Sequence, residues 1–270
     1  MIDWKEAKDG VLAKLVALPR LGLVSDLDGT LSPIVEDPDA AAITERNRAL
    51  LAALQKELAL VALVSGRGAV DVVARVGLPE LVVVGNHGLE RWEAGENEVL
   101  TEATAFRTQL EAAKALIEEL IEPGAHLEDK GVTLTLHYRQ HADPDDYAKR
   151  IGQRIKILAD AQGLRFSKGR MVFEFRPPVE VDKGTTLRGL VVEHQLEGVL
   201  YIGDDTTDVA ALEAARDLRA AGQCEAWGIG VQSEEMPEEV EETADFSVSG
   251  VGGVEELLDW LLTARRASST

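Results

Sequence analysis

Short apolar runs that alternate with amphipathic segments constrain the fold of this chain more than any other feature. The apolar runs cover residues 21–24, 60–64, 81–84, 199–202 and 227–231. Segments with apolar residues at helical spacing lie among these runs, at residues 45–58, 68–76, 185–194 and 207–221. Uninterrupted apolar runs are typical of parallel strands that are buried on both faces. The alternation therefore predicts an α/β fold with a doubly wound, Rossmann-like parallel sheet, whose site lies at the carboxyl ends of the strands.

The middle of the chain follows a different pattern. Two helical stretches, each followed by two strand-like runs, interrupt the α/β alternation. The helical stretches cover residues 105–121 and 144–161, and the strand-like runs cover residues 126–129, 132–139, 164–167 and 171–175. Two such α-β-β units predict a small α+β cap domain inserted into the core. We expect the cap to span residues 103–178 and the core to span residues 1–102 and 179–270.

The charge balance argues against several classes of partner. The chain has 28 Lys and Arg residues against 48 Asp and Glu residues, a formal net charge of -20. Nucleic acids and anionic membranes bind proteins chiefly through cations, so we expect neither as a partner. The single cysteine, Cys224, cannot form an internal disulfide, and the sequence has neither an apolar leader nor a run of ~20 apolar residues. We therefore predict a cytoplasmic monomer whose small anionic substrate is attracted by local positive groups or a metal.

Two carboxylates follow the first predicted strand. Asp26 and Asp28 are two residues apart, so they point to the same side of an extended chain. Gly29 permits a tight turn before Thr30, and the backbone N–H groups of such a turn suit phosphate oxygens. The alternative is a helix cap with a spare aspartate. We favour a functional site, because the pattern D-x-D-G-T after a buried strand is fairly specific.

Two further motifs follow in the predicted core. Ser65-Gly66-Arg67 comes directly after the run at residues 60–64 and offers a hydroxyl and backbone N–H groups to an anion at a helix start. Its alternative is an ordinary helix N-cap. Lys183 opens the helix after the predicted cap, where its ammonium group can act as a point charge on a phosphate. Its alternative is a solvated lysine.

A cluster of acidic residues follows the run at residues 199–202. The sequence Gly203-Asp204-Asp205 leads within three residues to Asp208. Carboxylates crowded in this way repel one another strongly at low dielectric unless a cation lies between them. The cluster therefore predicts a hard divalent metal with oxygen ligands, for which Mg²⁺ is the best fit.

Taken in order, DLDGTL, SGR, a helix-opening lysine and GDDTTD resemble the four motifs of the haloacid dehalogenase-like phosphatase superfamily. The resemblance implies that Asp26 is a nucleophile that forms an aspartyl-phosphate and that Asp28 is the general acid and base. The phosphate-binding residues that it implies are Gly29, Thr30, Ser65, Gly66, Arg67 and Lys183. The Mg²⁺ ligands that it implies are Asp26, Asp28 through its backbone carbonyl, Asp204 and Asp208. Asp208 then binds the metal directly or through one further group, with Asp205 nearby.

Segments of the predicted cap and one core loop narrow the resemblance. They read LEDKG at residues 127–131, LHYR at 136–139, GRMV at 169–172 and GNHGLE at 85–90. With them the chain resembles the trehalose 6-phosphate phosphatase family over about residues 21–262, which implies release of trehalose and phosphate in the last step of trehalose biosynthesis. The substrate-binding residues implied are His87, Glu128, Lys130, His137, Arg139 and Glu174. Leu27 and Val209 depart from the usual family residues, but neither position is catalytic.

Other functions stay open at this point. The nearest is a phosphatase of the same superfamily that acts on sucrose 6-phosphate or mannosyl-3-phosphoglycerate. A different class is a sugar-phosphate sensor that binds without turnover, which the complete set of catalytic residues argues against. Glu128 and Glu174 would alternatively be solvent-facing strand residues, and Arg139 would alternatively pair with a neighbouring carboxylate. For His87 and His137 a structural role is about as well supported as a binding role.

Overall fold

The structure is a computed structural model that describes residues 1–35, 41–169, 171–234 and 236–268. It divides into two compact units, one formed by Met1–Asn97 with Val181–Thr270 and the other by Glu98–Glu180. The cap predicted at residues 103–178 lies within the second unit. None of the described helices is both long and apolar enough to cross a membrane.

The strands and helices of the described residues are numbered in chain order. The strands are β1 (Ile2–Asp3), β2 (Leu21–Ser25), β3 (Leu60–Val64), β4 (Val82–Gly85), β5 (Glu90–Glu93), β6 (Glu96–Val99), β7 (His126–Asp129), β8 (Leu134–His137), β9 (Arg165–Gly169), β10 (Val172–Arg176), β11 (Gly198–Gly203), β12 (Glu225–Gln232) and β13 (Phe246–Ser249). The helices are α1 (Trp4–Ala7), α2 (Val11–Val16), α3 (Glu45–Leu54), α4 (Ala69–Val76), α5 (Thr101–Thr104), α6 (Arg107–Glu118), α7 (Pro144–Ala161), α8 (Lys183–Glu193), α9 (Val209–Ala220), α10 (Glu238–Thr243) and α11 (Gly250–Ser268).

The sheet of the first unit is mostly parallel, which confirms the predicted fold class. Within the described residues its strand order is β1-β13-β12-β11-β2-β3-β4-β5-β6. The pairs from β1 to β4 are parallel, and β5 runs antiparallel to β4. Ser25 pairs with Ile202 on one side and with Leu63 on the other. The carboxyl ends of β11, β2 and β3 are therefore level, and the residues that follow them lie side by side.

Apolar side chains cover both faces of this sheet. Leu23 belongs to a buried cluster with residues of α3, α4 and α11, whereas the next residue, Val24, belongs to a second cluster with residues of α8 and α9. Successive strand residues point to opposite faces. The central strands are thus buried on both sides, as their uninterrupted apolar sequence predicts.

The second unit has an antiparallel sheet. Its strand order is β7-β8-β10-β9 among the described residues. Along the chain, a helix followed by two strands occurs twice, first as α6, β7 and β8 and then as α7, β9 and β10. Leu136 of β8 and Phe173 of β10 pair across the strands and pack in one cluster with Tyr147 of α7. One face of this sheet is therefore the apolar core of the unit.

Candidate active site

Asp26 lies at the centre of the carboxyl edge of the core sheet. It follows the last residue of β2, and its backbone N–H donates to the carbonyl of Ile202 in β11 at 2.8 Å. Asp26 is only 5% exposed. The parallel pairing of β2 and β11 thus holds this carboxylate in a buried position.

Lys183 is the buried cation of the site. Its Nζ atom donates to Asp26 Oδ1 at 2.8 Å and to Asp208 Oδ1 at 2.7 Å. Lys183 is the first residue of α8, whose start is fixed because the side chain of Asp182 accepts from the backbone N–H of Thr185 at 2.7 Å. The solvated-lysine alternative is therefore wrong, since the side chain is 3% exposed and binds two carboxylates.

The loop after Asp26 closes directly onto the acidic motif. Gly29 has φ +83°, and a Cβ atom at this position would overlap the carboxylate of Asp204. The hydroxyl of Thr30 donates to Asp204 Oδ1 at 3.1 Å. Only glycine allows this approach, because it has no Cβ and adopts a positive φ without strain.

Gly29 and Thr30 are predicted phosphate-binding residues that also make hydrogen bonds within this loop. The N–H of Gly29 donates to the carbonyl of Ser32 at 2.8 Å, and the hydroxyl of Thr30 donates to Asp204. Both groups therefore stabilise the shape of the loop and the position of Asp204.

The acidic residues of the site carry more charge than the local cation offsets. Burial, together with the neighbouring Asp208 and Asp204, raises the pKa of Asp26 well above its ordinary value despite Lys183. Burial and Asp208 raise the pKa of Asp204 to about 7. Burial opposes the charge on Lys183, but Asp208 and Asp26 outweigh it and raise the pKa of Lys183. The site is thus a buried carboxylate cluster whose charged forms are disfavoured in the absence of a further cation.

Asp26, Asp204 and Asp208 form a cluster suited to a metal ion. Each offers one carboxylate oxygen, and these three atoms lie within 4.8 Å of one another. Within the described part of the chain, the side chains of Asp26 and Asp204 accept hydrogen bonds only through Oδ1, which leaves Oδ2 of each for a ligand. An all-oxygen, negatively charged site of this kind fits Mg²⁺.

Asp208 differs from its two neighbours because both of its oxygens are occupied. Oδ1 accepts from Lys183 and, in a short hydrogen bond, from the hydroxyl of Tyr201. Oδ2 accepts from the backbone N–H groups of Asp204 at 3.2 Å and Asp205 at 3.0 Å. Four donors fill the acceptor positions of a carboxylate. Asp208 therefore contributes charge and holds the loop, while Asp205 is exposed and caps the turn.

Asp28 is bound by Arg67 in a bidentate pair. Nε of Arg67 donates to Asp28 Oδ2 at 2.6 Å and Nη2 donates to Oδ1 at 3.0 Å, while Nη1 lies 3.5 Å from Asp71 Oδ2. The Asp28 side chain is 36% exposed. Arg67 was expected to bind phosphate, but in this state its guanidinium group holds the predicted general acid.

Ser65 lies at the end of β3 beside the loop that contains His87. The Ser65 side chain is buried, and its Oγ accepts from the N–H of Arg67 at 3.1 Å, a hydrogen bond that does not use the hydroxyl hydrogen. The N–H of His87 donates to the carbonyl of Ser65 at 3.1 Å. A Cβ on Gly66 would lie 2.7 Å from the His87 ring. The structure therefore brings His87 against the Ser65 loop.

Glu90 ties these two loops together. Its Oε1 atom accepts from the N–H of Ala69, the first residue of α4, at 2.8 Å and from Nδ2 of Asn86 at 2.6 Å. Glu90 is buried, and Asn86 has a positive φ of 48°. Both residues belong to the GNHGLE segment, but neither has a predicted role. One feature of the sequence could have indicated this role of Glu90. It is an acidic residue next to a buried segment, and a buried carboxylate requires hydrogen-bond donors around it.

A row of polar residues crosses the sheet of the second unit. Glu128 of β7 and Glu174 of β10 both pair with Thr135 of β8, so the three side chains share the face opposite the apolar core. Glu128 Oε2 lies 2.9 Å from His137 Nε2 and 3.7 Å from Lys130 Nζ. The structure thus brings four of the predicted sugar-binding residues onto one face.

One other predicted contact differs from this row. Arg139 lies two residues beyond the end of β8 and is exposed. Arg170, which belongs to the GRMV segment but has no predicted role, lies outside the described residues. His126, for which no binding role is predicted, stacks its ring on that of His137 with 4.6 Å between centroids.

Comparison with known proteins decides the family. A family model described as trehalose-phosphatase matches residues 24–249, which contain each predicted site residue. The chain belongs to the trehalose-phosphatase family. This membership confirms both the predicted resemblance and the predicted enzyme class, phosphoric monoester hydrolases.

Relatives and solved structures agree with this assignment. Probable trehalose-phosphate phosphatase 9 of Oryza sativa subsp. japonica is 32% identical over 98% of this chain and 77% of its own length. Trehalose-phosphate phosphatase of Mycobacterium marinum is 38% identical over 74% of this chain, but the match spans only 52% of that relative. The C-terminal domain of Candida albicans trehalose-6-phosphate phosphatase matches with a TM-score of 0.77 at 24% identity, over 95% of this chain and 97% of that one. The last comparison shows a shared fold.

Proposed function

We propose that this protein hydrolyses trehalose 6-phosphate to trehalose and phosphate, with Mg²⁺ as cofactor and through an aspartyl-phosphate on Asp26. The observation that carries the proposal is the buried contact between Lys183 and Asp26 beside Asp204 and Asp208. A carboxylate and an ammonium group held together at the carboxyl ends of parallel strands suit attack on a bound phosphoryl group.

Asp26 and Asp204 would hold the Mg²⁺ ion through their Oδ2 atoms, with the backbone carbonyl of Asp28 as a further ligand. Asp208 would add charge without direct contact, because its acceptor positions are filled. When bound, the ion supplies positive charge that lowers the repulsion between the phosphoryl group and the Asp26 carboxylate.

The side chains of the site can carry the reaction in two steps. In the first, an oxygen of Asp26 attacks phosphorus, the bond between phosphorus and the sugar oxygen breaks, and Asp28 gives that oxygen a proton. In the second, Asp28 takes a proton from water, the water oxygen attacks phosphorus, and the bond to Asp26 breaks. Lys183 and the Ser65 hydroxyl would bind the phosphoryl oxygens in both steps.

The hydrogen bonds from Arg67 to Asp28 restrict proton transfer in the first step. Both oxygens of Asp28 accept from Arg67 in the described state. An oxygen that carries a proton to the substrate cannot at the same time accept from a guanidinium N–H in the same direction. We propose that Arg67 orients Asp28 and that at least one of these hydrogen bonds is released when the substrate binds.

The polar row of the second unit supports a sugar as the leaving group. Glu128, Lys130, His137 and Glu174 offer carboxylates, an ammonium group and an imidazole on one face, which suit the paired donors and acceptors of a disaccharide. The names of the relatives point to trehalose as that disaccharide.

The test is phosphate release from a panel of esters. Trehalose 6-phosphate, sucrose 6-phosphate, mannosyl-3-phosphoglycerate and an aryl phosphate are each incubated with Mg²⁺ or with EDTA. We expect trehalose 6-phosphate to have the highest kcat/KM, and EDTA to stop release from every ester. Preference for another sugar phosphate would reject the substrate but keep the chemistry, and binding without any release would favour the sensor.

A further inference from the structure

Tyr201 has a contact that the mechanism above does not use. It lies in β11 and is fully buried in the centre of the core sheet. Its hydroxyl donates a short hydrogen bond to Asp208 Oδ1, the same oxygen that accepts from Lys183 Nζ at 2.7 Å. Because Lys183 also donates to Asp26 Oδ1, a continuous series of hydrogen bonds joins the phenol to the proposed nucleophile.

The other contacts of Asp208 show what the phenol does. Its Oδ2 atom is held by two backbone N–H groups, those of Asp204 and Asp205, so that end of the carboxylate moves only with the loop. Its Oδ1 atom has two donors in the described part of the chain, the Tyr201 hydroxyl and the Lys183 ammonium group. The phenol belongs to a rigid strand, whereas the lysine side chain has four rotatable bonds. Tyr201 therefore fixes the oxygen to which the flexible group binds.

We propose that Tyr201 is a positioning residue for the phosphatase reaction, acting through Asp208 to hold the Lys183 ammonium group where the phosphoryl oxygens lie. This inference rests on the proposed function. Without the phenol, Asp208 Oδ1 keeps Lys183 as its only side-chain donor and draws the ammonium group toward itself. A donor displaced from the developing charge stabilises the transition state less than one held in place.

The alternative is that Tyr201 only fills the core, and Tyr201→Phe separates the two roles because it keeps the ring and removes one oxygen. Tyr147→Phe is a matched control, since Tyr147 is equally buried in the second unit and its hydroxyl donates to the carbonyl of Leu120 at 3.0 Å. For each variant, kcat and KM are measured on trehalose 6-phosphate and on an aryl phosphate at saturating Mg²⁺. Orthovanadate binding is measured by calorimetry, and melting temperature checks the fold.

We expect Tyr201→Phe to lower kcat about 10- to 100-fold on both substrates, with a much smaller change in KM. Orthovanadate should bind more weakly by a similar factor. Tyr147→Phe should keep the wild-type values. Wild-type kcat and orthovanadate affinity in Tyr201→Phe would overturn the inference, and so would an equal loss of kcat in Tyr147→Phe.

A double-mutant cycle tests the route through Asp208. In an Asp208→Ala background, which is itself expected to be slow, Tyr201→Phe should cause little further loss, because the oxygen that the phenol positions has been removed. A full additional loss would show that Tyr201 acts by another route and would overturn the inference. Failure of the proposed function is seen separately, as absence of phosphate release by the wild-type protein on both substrates.

Discussion

The two polar surfaces of this molecule differ in how firmly their side chains are held. In the core site, the side chains of Asp26, Lys183 and Asp208 are at most 7% exposed, and each oxygen of Asp208 accepts from two donors. In the second unit the Glu128 side chain is 45% exposed, and its partners His137 and Lys130 lie at 2.9 and 3.7 Å. Buried groups held by hydrogen bonds suit a reaction that tolerates little displacement, whereas a more exposed carboxylate such as that of Glu128 can exchange its partners for the hydroxyls of a ligand. Under the proposed function, chemistry and recognition use these two surfaces separately, and substitutions can test them one at a time.

The largest effect is expected from Asp26→Asn. An amide cannot form an acyl-phosphate, so phosphate release should be abolished for the sugar phosphate and for an aryl phosphate alike. Beryllium fluoride should bind the wild-type protein and not the variant. The melting temperature should stay high, because burial raises the pKa of Asp26 and so already disfavours its charged form at this position. Retention of more than about one per cent of the activity would mean that Asp26 is not the nucleophile.

The next largest effect is expected in the second unit and should be selective. Glu128→Ala, Lys130→Ala or Glu174→Ala each removes a charge-assisted hydrogen bond to the sugar, worth roughly 1.5 to 3 kcal/mol, so kcat/KM for trehalose 6-phosphate should fall by about 10- to 150-fold. Turnover of the aryl phosphate should not change. Glu122→Ala is the control, because Glu122 belongs to the same unit but is paired with Arg150 at 2.8 Å.

Equal loss on both substrates would assign the Glu128, Lys130 and Glu174 side chains to folding instead of recognition. Full activity in all three variants would reject trehalose 6-phosphate as the substrate and leave the phosphatase chemistry in place.

A smaller effect on the rate of phosphate release is expected from Asp204→Asn when Mg²⁺ is saturating. The variant loses one of the two free carboxylate oxygens of the cluster, so the Mg²⁺ concentration for half-maximal activity should rise by about 10- to 100-fold. Excess Mg²⁺ should restore much of the rate. Calorimetric titration with Mg²⁺ provides a second measurement. A loss of rate that does not depend on Mg²⁺ would mean that Asp204 is needed only for the hydrogen bond from Thr30.

The smallest effect concerns stability and pH. The pKa of Asp204 is raised from 3.8 to about 7, chiefly by burial, so between these values the folded protein keeps a proton that the unfolded chain releases. The free energy of unfolding should therefore fall as the pH rises from about 4 to about 7, and the melting temperature in EDTA should fall by a few degrees. Mg²⁺ at pH 7 should reverse the loss. Asp204→Asn is the control, and an unchanged slope in that variant would contradict this origin.

The parts of the fold that follow from burial were predictable from the sequence. Residues 60–64 form a buried strand with the predicted bounds, and Asp26, Ser65 and Asp204 lie at one edge because parallel strands end there. Helix α3 ends at Leu54 instead of residue 58, since the following residues make turns that apolar spacing does not reveal. The β5 and β6 strands were missed because few of their residues are buried, so they lack the apolar runs that identify the central strands.

The contacts that give the site its geometry were harder to predict. Arg67 and Asp28 are 39 positions apart, and nothing in the local sequence of either shows that the guanidinium group binds this carboxylate and not a phosphate. The sequence around Tyr201 gives one indication of its contact. Its phenol lies within a strand that is otherwise wholly apolar, and a buried hydroxyl needs a hydrogen-bond partner. The identity of that partner depends on the turn that brings Asp208 back over β11, which only three-dimensional packing determines.

The fit between Gly29 and Asp204 has a consequence for how this chain can diverge. The two positions lie in the first and last motifs, yet the carboxylate occupies the volume that any other side chain at position 29 would need. They therefore cannot drift independently during evolution. A descendant that gave up the acid at position 204 would free this volume, and a residue that tolerates a positive φ, such as asparagine, would then fit at position 29. Loss of this glycine would thus mark, in a sequence alone, a lineage that has lost the acid at position 204.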